Sequence, residues 1–313
     1  MRIAIYGTGG AGGYFGAQLA KAGEDVIFIA RGAHLQAISE HGLIVETPAG
    51  EVKIHPAKAT DRVSEIGPVD LILLGVKAWQ VQEAATAMTS MLGPETLVIP
   101  LQNGVEAAEE LAAVLGAGPV LGGLCGTFSR VAGPGRIRSI GDKNFIQFGE
   151  INNRRSTRTE RMLAVLQKAG IQAEIPADIH QGLWMKFLAV TAFGGVGALA
   201  RAPIGVLRSL PQTRRLMERC VEEACDLAMA RGIGLLDSAV TTTLEFIDGL
   251  AAGSTTSLQR DIADGKPSEL EYWTGAVVRL AKGNHVGVPT HEILYDLLLP
   301  LEQRSRGRLE FPP

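Results

Sequence analysis

Three places in this sequence put ligand-binding or reactive side chains in surroundings that give them work to do. The first is Gly7-Thr8-Gly9-Gly10-Ala11-Gly12. Glycine at 7 allows a sharp turn, glycine at 9 lets backbone approach a diphosphate, and glycine at 12 lets a helix pack closely on a strand. A helix starting there presents N–H groups to phosphate oxygens. The second is Lys186, the only formal charge between Leu183 and Ala200, flanked by Trp184, Met185, Phe187 and Leu188. Two readings stand for it. The amine either snorkels to the surface, or lines a cleft, where partial desolvation lowers its pKa and suits it to proton transfer. The third is Glu269, in Pro267-Ser268-Glu269-Leu270-Glu271. Ser268 and Glu271 have the S-x-x-E spacing of a capping box, which accounts for Glu271. Glu269 is not needed for that cap and is available to a cleft, although the helix dipole favours a glutamate in any first turn.

These residues need elements to hold them. Met1-Arg2-Ile3-Ala4-Ile5-Tyr6 reads as a strand running into the glycine turn. Further strands are expected at 26–30, 69–76, 97–101 and 120–123, with helices at 12–22, 33–41, 79–92 and 105–115. Such alternation implies a parallel sheet with helices on its faces. Segment 43–54, folded over Thr47-Pro48-Ala49-Gly50, and segment 137–148, after Gly133-Pro134-Gly135, read as hairpins beside that core. A helix at 159–168 and a strand at 171–175 would close this half. After Pro176 only helical patterns follow, at 179–193, 212–231, 239–250, 268–282 and 290–301. The expected fold is α/β: a Rossmann doubly wound parallel sheet with added hairpins over residues 1–176, then an all-helical domain over 177–313.

In that setting the glycine turn is a dinucleotide site, and the second strand decides which dinucleotide. Val26-Ile27-Phe28-Ile29-Ala30 ends in Arg31, where NAD sites usually carry Asp or Glu for the ribose 2′-hydroxyl. A guanidinium fork suits a 2′-phosphate, so the expected cofactor is NADPH. A surface arginine at a strand end is the plainer reading.

Composition excludes other classes. At 46% hydrophobic and 20% charged, the 313-residue chain can bury a core without staples. A net charge of −3 with no strongly basic stretch disfavours nucleic acid or an anionic membrane surface as partner. Cys125, Cys220 and Cys225 have no metal-ligand spacing and read as buried small hydrophobes in a reducing compartment. No metal site is expected. The apolar run from Leu183 carries a lysine and three glycines, unlike a membrane span. No signal segment precedes the first strand, and a cytoplasmic protein is expected. The tail Arg304-Ser305-Arg306-Gly307-Arg308 reads as a solvated end.

Taken together, the glycine turn, Val76-Lys77-Ala78-Trp79-Gln80, Gln102-Asn103-Gly104, Leu183-Trp184-Met185-Lys186-Phe187 and Ser268-Glu269-Leu270-Glu271-Tyr272 resemble the ketopantoate reductase family over essentially the whole chain. The resemblance implies reduction of a branched 2-oxo acid, ketopantoate, with NADPH in pantothenate biosynthesis, in a cleft between the two domains. It implies that Lys186 is the catalytic acid and Glu269 the acidic residue that orients substrate or lysine. Asn103 would lie at the nicotinamide end, Ser257 would bind the substrate carboxylate, and Lys77 would lie near the nicotinamide ribose and substrate. On residues alone, Asn103 also reads as an Asn-Gly turn, Ser257 as a polar helix start, and Lys77 as a solvated lysine opening a loop. Well-characterised family members carry asparagine four and eight residues after the lysine; here those positions are Val190 and Gly194. The resemblance therefore carries the family further than its name-giving substrate. A relative reducing a more apolar 2-oxo acid stays open, as does a non-catalytic NADPH sensor. A 3-hydroxyacid dehydrogenase fits the Lys77 and Glu269 segments poorly. By analogy with other Rossmann reductases, a homodimer through the helical domain is open.

Overall fold

In the computed structural model, residues 1–141 and 144–312 are described. Asp142 and Lys143, inside the second expected hairpin, and Pro313 lie outside the described residues. The chain divides into two compact units. One holds Met1–Gln102 and Glu106–His180; the other holds Asn103–Val105 and residues 181 onward.

The first unit follows the order β1 (Arg2–Tyr6), α1 (Gly10–Lys21), β2 (Asp25–Ile29), α2 (Gly32–His41), β3 (Leu43–Thr47), β4 (Gly50–Ile54), β5 (Lys58–Thr60), β6 (Leu71–Leu74), α3 (Val81–Met88), β7 (Leu97–Pro100), α4 (Ala107–Leu115), β8 (Leu121–Gly126), β9 (Ser129–Gly133), β10 (Arg136–Ser139), β11 (Phe145–Glu150), α5 (Thr157–Lys168) and β12 (Gln172–Glu174). Its central sheet is parallel, in the order β5-β2-β1-β6-β7. Strand β1 shows why. Side chains alternate across a strand, and both of its faces are apolar. Ile3 and Ile5 join Phe15 and Leu19 of α1 in one core. Ala4 and Tyr6 join Val81, Ala84 and Met88 of α3 in another. A sheet buried on both sides is the environment of parallel strands. From β1 the order runs outward through β2 to β5, then returns to β6 on the other side. The reversal lies between β1 and β6, and ligands of open α/β sheets bind beyond the strand ends at such a point.

The two expected hairpins turned out differently. Segment β3–β4 is a hairpin, but the second one is β9–β10, and β10 also pairs parallel with β3. Together they form one four-stranded sheet, β4-β3-β10-β9. Strand β11, expected to return against β10, instead pairs with β8 and β12 in a third sheet. Partner choice between distant strands leaves no local mark on the sequence.

The second unit is helical: most of α6 (Ile179–Ala200), then α7 (Ile204–Ser209), α8 (Pro211–Ala230), α9 (Ala239–Gly249), α10 (Ser257–Ala263), α11 (Thr274–Asn284) and α12 (Pro289–Ser305). Helix α7 was not expected, being too short for a clear period, and α10 was expected only as the helix start read near Ser257. Helix α6 is long and apolar enough to cross a membrane, yet 67% of its most apolar window is buried within the protein, as in a core helix. It continues past the expected end at 193 because its glycines are seats for neighbours. A β-carbon at Gly194 would lie 2.8 Å from the Trp273 ring, one at Gly195 3.2 Å from Leu294, and one at Gly197 2.3 Å from the Gln259 amide. Packing offsets the roughly 1 kcal/mol that each helical glycine costs. All three cysteines are buried and no disulfide links them; burial pushes the Cys220 thiol well above its ordinary pKa.

Candidate functional site

The glycine turn leaves β1 at the reversal point. Gly7 has φ +97°, and a β-carbon there would lie 2.7 Å from the Val76 amide nitrogen. At Gly12 it would lie 2.2 Å from the Gly7 carbonyl oxygen, and at Gly10 2.3 Å from the Ser129 carbonyl oxygen. These three glycines are demanded by the protein's own backbone. Gly9 is different: a β-carbon there would meet only the Gly75 carbonyl oxygen, at 3.9 Å. The fold leaves room at Gly9, and Gly9, as the N-cap of α1, offers the helix no side-chain cap. Open space beside an uncapped helix N-terminus fits a diphosphate, so the residues present suit a dinucleotide.

Thr8 is buried and its hydroxyl donates to the Ile29 carbonyl at 3.0 Å, tying the turn to the end of β2. His34 backs it from α2. Its Nδ1 accepts from the Gly135 N–H at 3.0 Å, so Nε2 carries the proton and donates to the Thr8 carbonyl at 2.8 Å. The ring is thereby fixed as neutral imidazole. Burial holds its pKa below the ordinary histidine value, partly opposed by the bond to Thr8. A group whose folded pKa is lowered contributes stability above its unfolded pKa, and that contribution is lost as pH falls through the folded value. Wild type and His34→Ala should therefore differ most in melting temperature above about pH 6.5, and the gap should narrow on acidification. A gap independent of pH would remove His34 from this role. The histidine follows Gly32-Ala33 with no motif around it, and sequence reasoning missed it.

Arg31 precedes α2 and is exposed, its Nη2 lying 3.2 Å from Glu83 Oε1 on α3. Both side chains are 67% exposed, so the pair contributes at most about 1 kcal/mol. A phosphate can compete for the guanidinium at little cost. Lys77 follows β6 at the head of a single 3₁₀ turn, Ala78–Gln80, with its ammonium 5.8 Å from the Trp79 ring centroid. The Gln102 amide donates to the carbonyls of Leu74 and Val76, at 2.9 and 3.0 Å, and braces this strand end.

The helical unit gathers the remaining candidates. Lys186 lies half-buried on α6 between Trp184 and Phe187, which are buried and meet edge to face at 5.5 Å. Val190 and Gly194 follow it on the same helical face at four-residue steps. The vacancy at Gly194 is filled by Trp273, four residues after Glu269, and by Leu258, next to Ser257, at 3.5 Å. The segments that follow Glu269 and Ser257 therefore meet α6 at Gly194, eight residues beyond Lys186. Asn103 is half-buried, and a β-carbon at its neighbour Gly104 would lie 3.2 Å from the Tyr272 carbonyl oxygen, which brings that turn to the Glu269 segment. Ser257 opens α10 just after Thr256, whose hydroxyl accepts from the Gln259 N–H at 3.1 Å.

Glu269 is 5% exposed, and its own carbonyl accepts from the N–H groups of Tyr272 and Trp273, both at 3.0 Å. The capping box expected from Ser268 and Glu271 is replaced. Ser268 bonds instead to Glu302, and Glu271 Oε1 accepts from the Tyr295 hydroxyl at 2.5 Å. Burial, reinforced by that bond, holds the Tyr295 phenol above its ordinary pKa. The helix begins only at Thr274, after a 3₁₀ turn at Leu270–Tyr272. Among the described residues no cluster of His, Cys, Asp and Glu could hold a metal ion.

The model for Ketopantoate reductase PanE/ApbA matches residues 3–153, and that for its C-terminal region matches 178–302. The chain belongs to the ketopantoate reductase family. It is thus an oxidoreductase of that family. A 2-dehydropantoate 2-reductase of Mesorhizobium japonicum is 30% identical over 97% of this chain and 97% of its own length. The crystal structure of a PanE/ApbA family ketopantoate reductase from Ralstonia eutropha superposes with a TM-score of 0.89 at 31% identity, covering 98% of this chain and 100% of that one. A D-mandelate dehydrogenase solved with NADH and anilino(oxo)acetate has a TM-score of 0.90 at 23% identity, covering 98% and 99%. At that identity it shares the fold.

Proposed function

We propose that this member of the family reduces a 2-oxo acid to the 2-hydroxy acid with NADPH, with 2-dehydropantoate as the leading substrate. The observation that carries this reading is that Trp273, four residues after Glu269, and Leu258, next to Ser257, both pack at Gly194 on the helix that bears Lys186. Residues 1–176 would serve the cofactor and 177–313 the substrate and a homodimer contact. Gly7, Thr8, Gly9, Gly10, Ala11 and Gly12 would hold the diphosphate, Arg31 the 2′-phosphate, and Lys77 and Asn103 the nicotinamide half. The bound nicotinamide supplies a hydride. Lys186 bonds to the keto oxygen and gives it a proton as charge develops there. Ser257 takes the substrate carboxylate, and Glu269 orients substrate or lysine.

A second reading concerns the substrate's side chain. The family's asparagines at the fourth and eighth positions after the lysine are Val190 and Gly194 here, and the buried Trp273 ring fills the second place. An apolar wall favours a substrate without a hydroxyl, because a site built to bond a hydroxyl and one that is not differ greatly in selectivity. Catalytic efficiency with 2-dehydropantoate and with phenylglyoxylate, the oxo acid corresponding to mandelate, separates the two. Preference for the latter would retire the leading substrate. Arg31→Ala should reduce the preference for NADPH over NADH at least tenfold, roughly the 1.4 kcal/mol within reach of a charge-assisted bond. An unchanged ratio would release Arg31 from the 2′-phosphate.

A further inference from the structure

The backbone around Glu269 is held by an ion pair between Glu302, which is buried, and Arg306. Ser268 is fully buried, and its three polar groups all engage one pair of side chains on and after α12. Its N–H donates to Glu302 Oε2 at 3.0 Å and Oε1 at 3.2 Å, and its hydroxyl donates to Oε2 at 2.5 Å. Its carbonyl accepts from Arg306 Nη2 at 3.0 Å. Arg306 Nε in turn donates to Glu302 Oε1 at 2.6 Å. Glu302 is 1% exposed, so its charge has left water, and the guanidinium with three donors from Ser268 and Arg306 is what compensates it. On the other side, the Ser268 hydroxyl accepts from the Leu270 N–H at 3.3 Å, and the Glu269 carbonyl takes the Tyr272 and Trp273 N–H groups. The main chain of Glu269 is thus fixed on both flanks.

Stability alone is a weak reason for such a device, since well-packed apolar groups do as well as a buried ion pair or better. Position is the better reason. Glu302 and Arg306 fix the residue immediately before Glu269, and the same turn delivers Trp273 into the vacancy at Gly194, two helical turns from Lys186. We propose that Glu302 and Arg306, acting through Ser268, are positioning residues that set where the Glu269 carboxylate stands for recognition of the 2-oxo acid. This rests on the role given above to Glu269.

The test is a double-mutant cycle with NADPH and two probes, 2-dehydropantoate and phenylglyoxylate. Glu302→Gln should lower kcat/KM for the oxo acid by about ten- to a hundredfold, the scale of a small misplacement, while KM for NADPH stays put. Ser268→Ala, which keeps the buried charges paired, should give a smaller loss in the same parameter and guards against Glu302→Gln failing to fold. In a Glu269→Gln background both losses should vanish, because nothing remains to be positioned. Equal losses in both backgrounds would mark a merely structural pair and overturn the proposal, as would full activity in folded Glu302→Gln and Ser268→Ala. The underlying reading fails separately, and takes the proposal with it, when Glu269→Gln alone keeps wild-type turnover.

Discussion

Lys186→Ala should lower turnover of the 2-oxo acid by at least about two orders of magnitude, the contribution of a positioned general acid. Its melting temperature should stay near that of wild type. The lysine is half-buried in the first half of α6, whose packing there rests on Trp184, Phe187 and Leu188, and alanine is the best helix former. Lys186→Arg should fare little better. It keeps the charge, but a guanidinium does not give up its proton in proteins. Loss of activity with retained fold in both variants separates proton transfer from packing. Full activity in either would take Lys186 out of the mechanism.

The second large effect is a contrast within the glycine turn. Gly12→Ala puts a methyl 2.2 Å from the Gly7 carbonyl oxygen, where backbone would have to move. The expected result is a large fall in melting temperature together with loss of cofactor binding. Gly9→Ala meets only Gly75 oxygen at 3.9 Å, at φ −83° and ψ −157°, an extended conformation open to alanine. Its melting temperature should be unchanged, while the Kd for NADPH rises at least about tenfold, or 1.4 kcal/mol, because the methyl occupies the approach to the diphosphate. Thermal melts and a fluorescence titration measure the two quantities. Wild-type affinity in Gly9→Ala would place the diphosphate elsewhere.

Local patterns carried the parallel core. The two apolar faces of Ile3 to Tyr6, the glycines after them and the switch to helical periods after Pro176 were all legible, because each is a property of neighbours in sequence. What escaped depended on distant partners. The pairing of β10 with β3 joins segments some ninety residues apart. Ser268 and Glu271 had the spacing of a capping box, but Glu302, 34 residues later, takes the serine. Gly194 read as a lost hydrogen-bonding side chain; its packing shows that the place is filled by Trp273. His34 carried no signal, since its work is done by two backbone groups in different segments.

Consumption of NADPH by the purified protein, followed by nicotinamide absorbance with 2-dehydropantoate and phenylglyoxylate, tests the central claim most directly. The account predicts turnover of a 2-oxo acid with NADPH ahead of NADH, and its near-abolition in Lys186→Ala. Tight NADPH binding with no turnover of either acid would contradict it and point to a non-catalytic sensor.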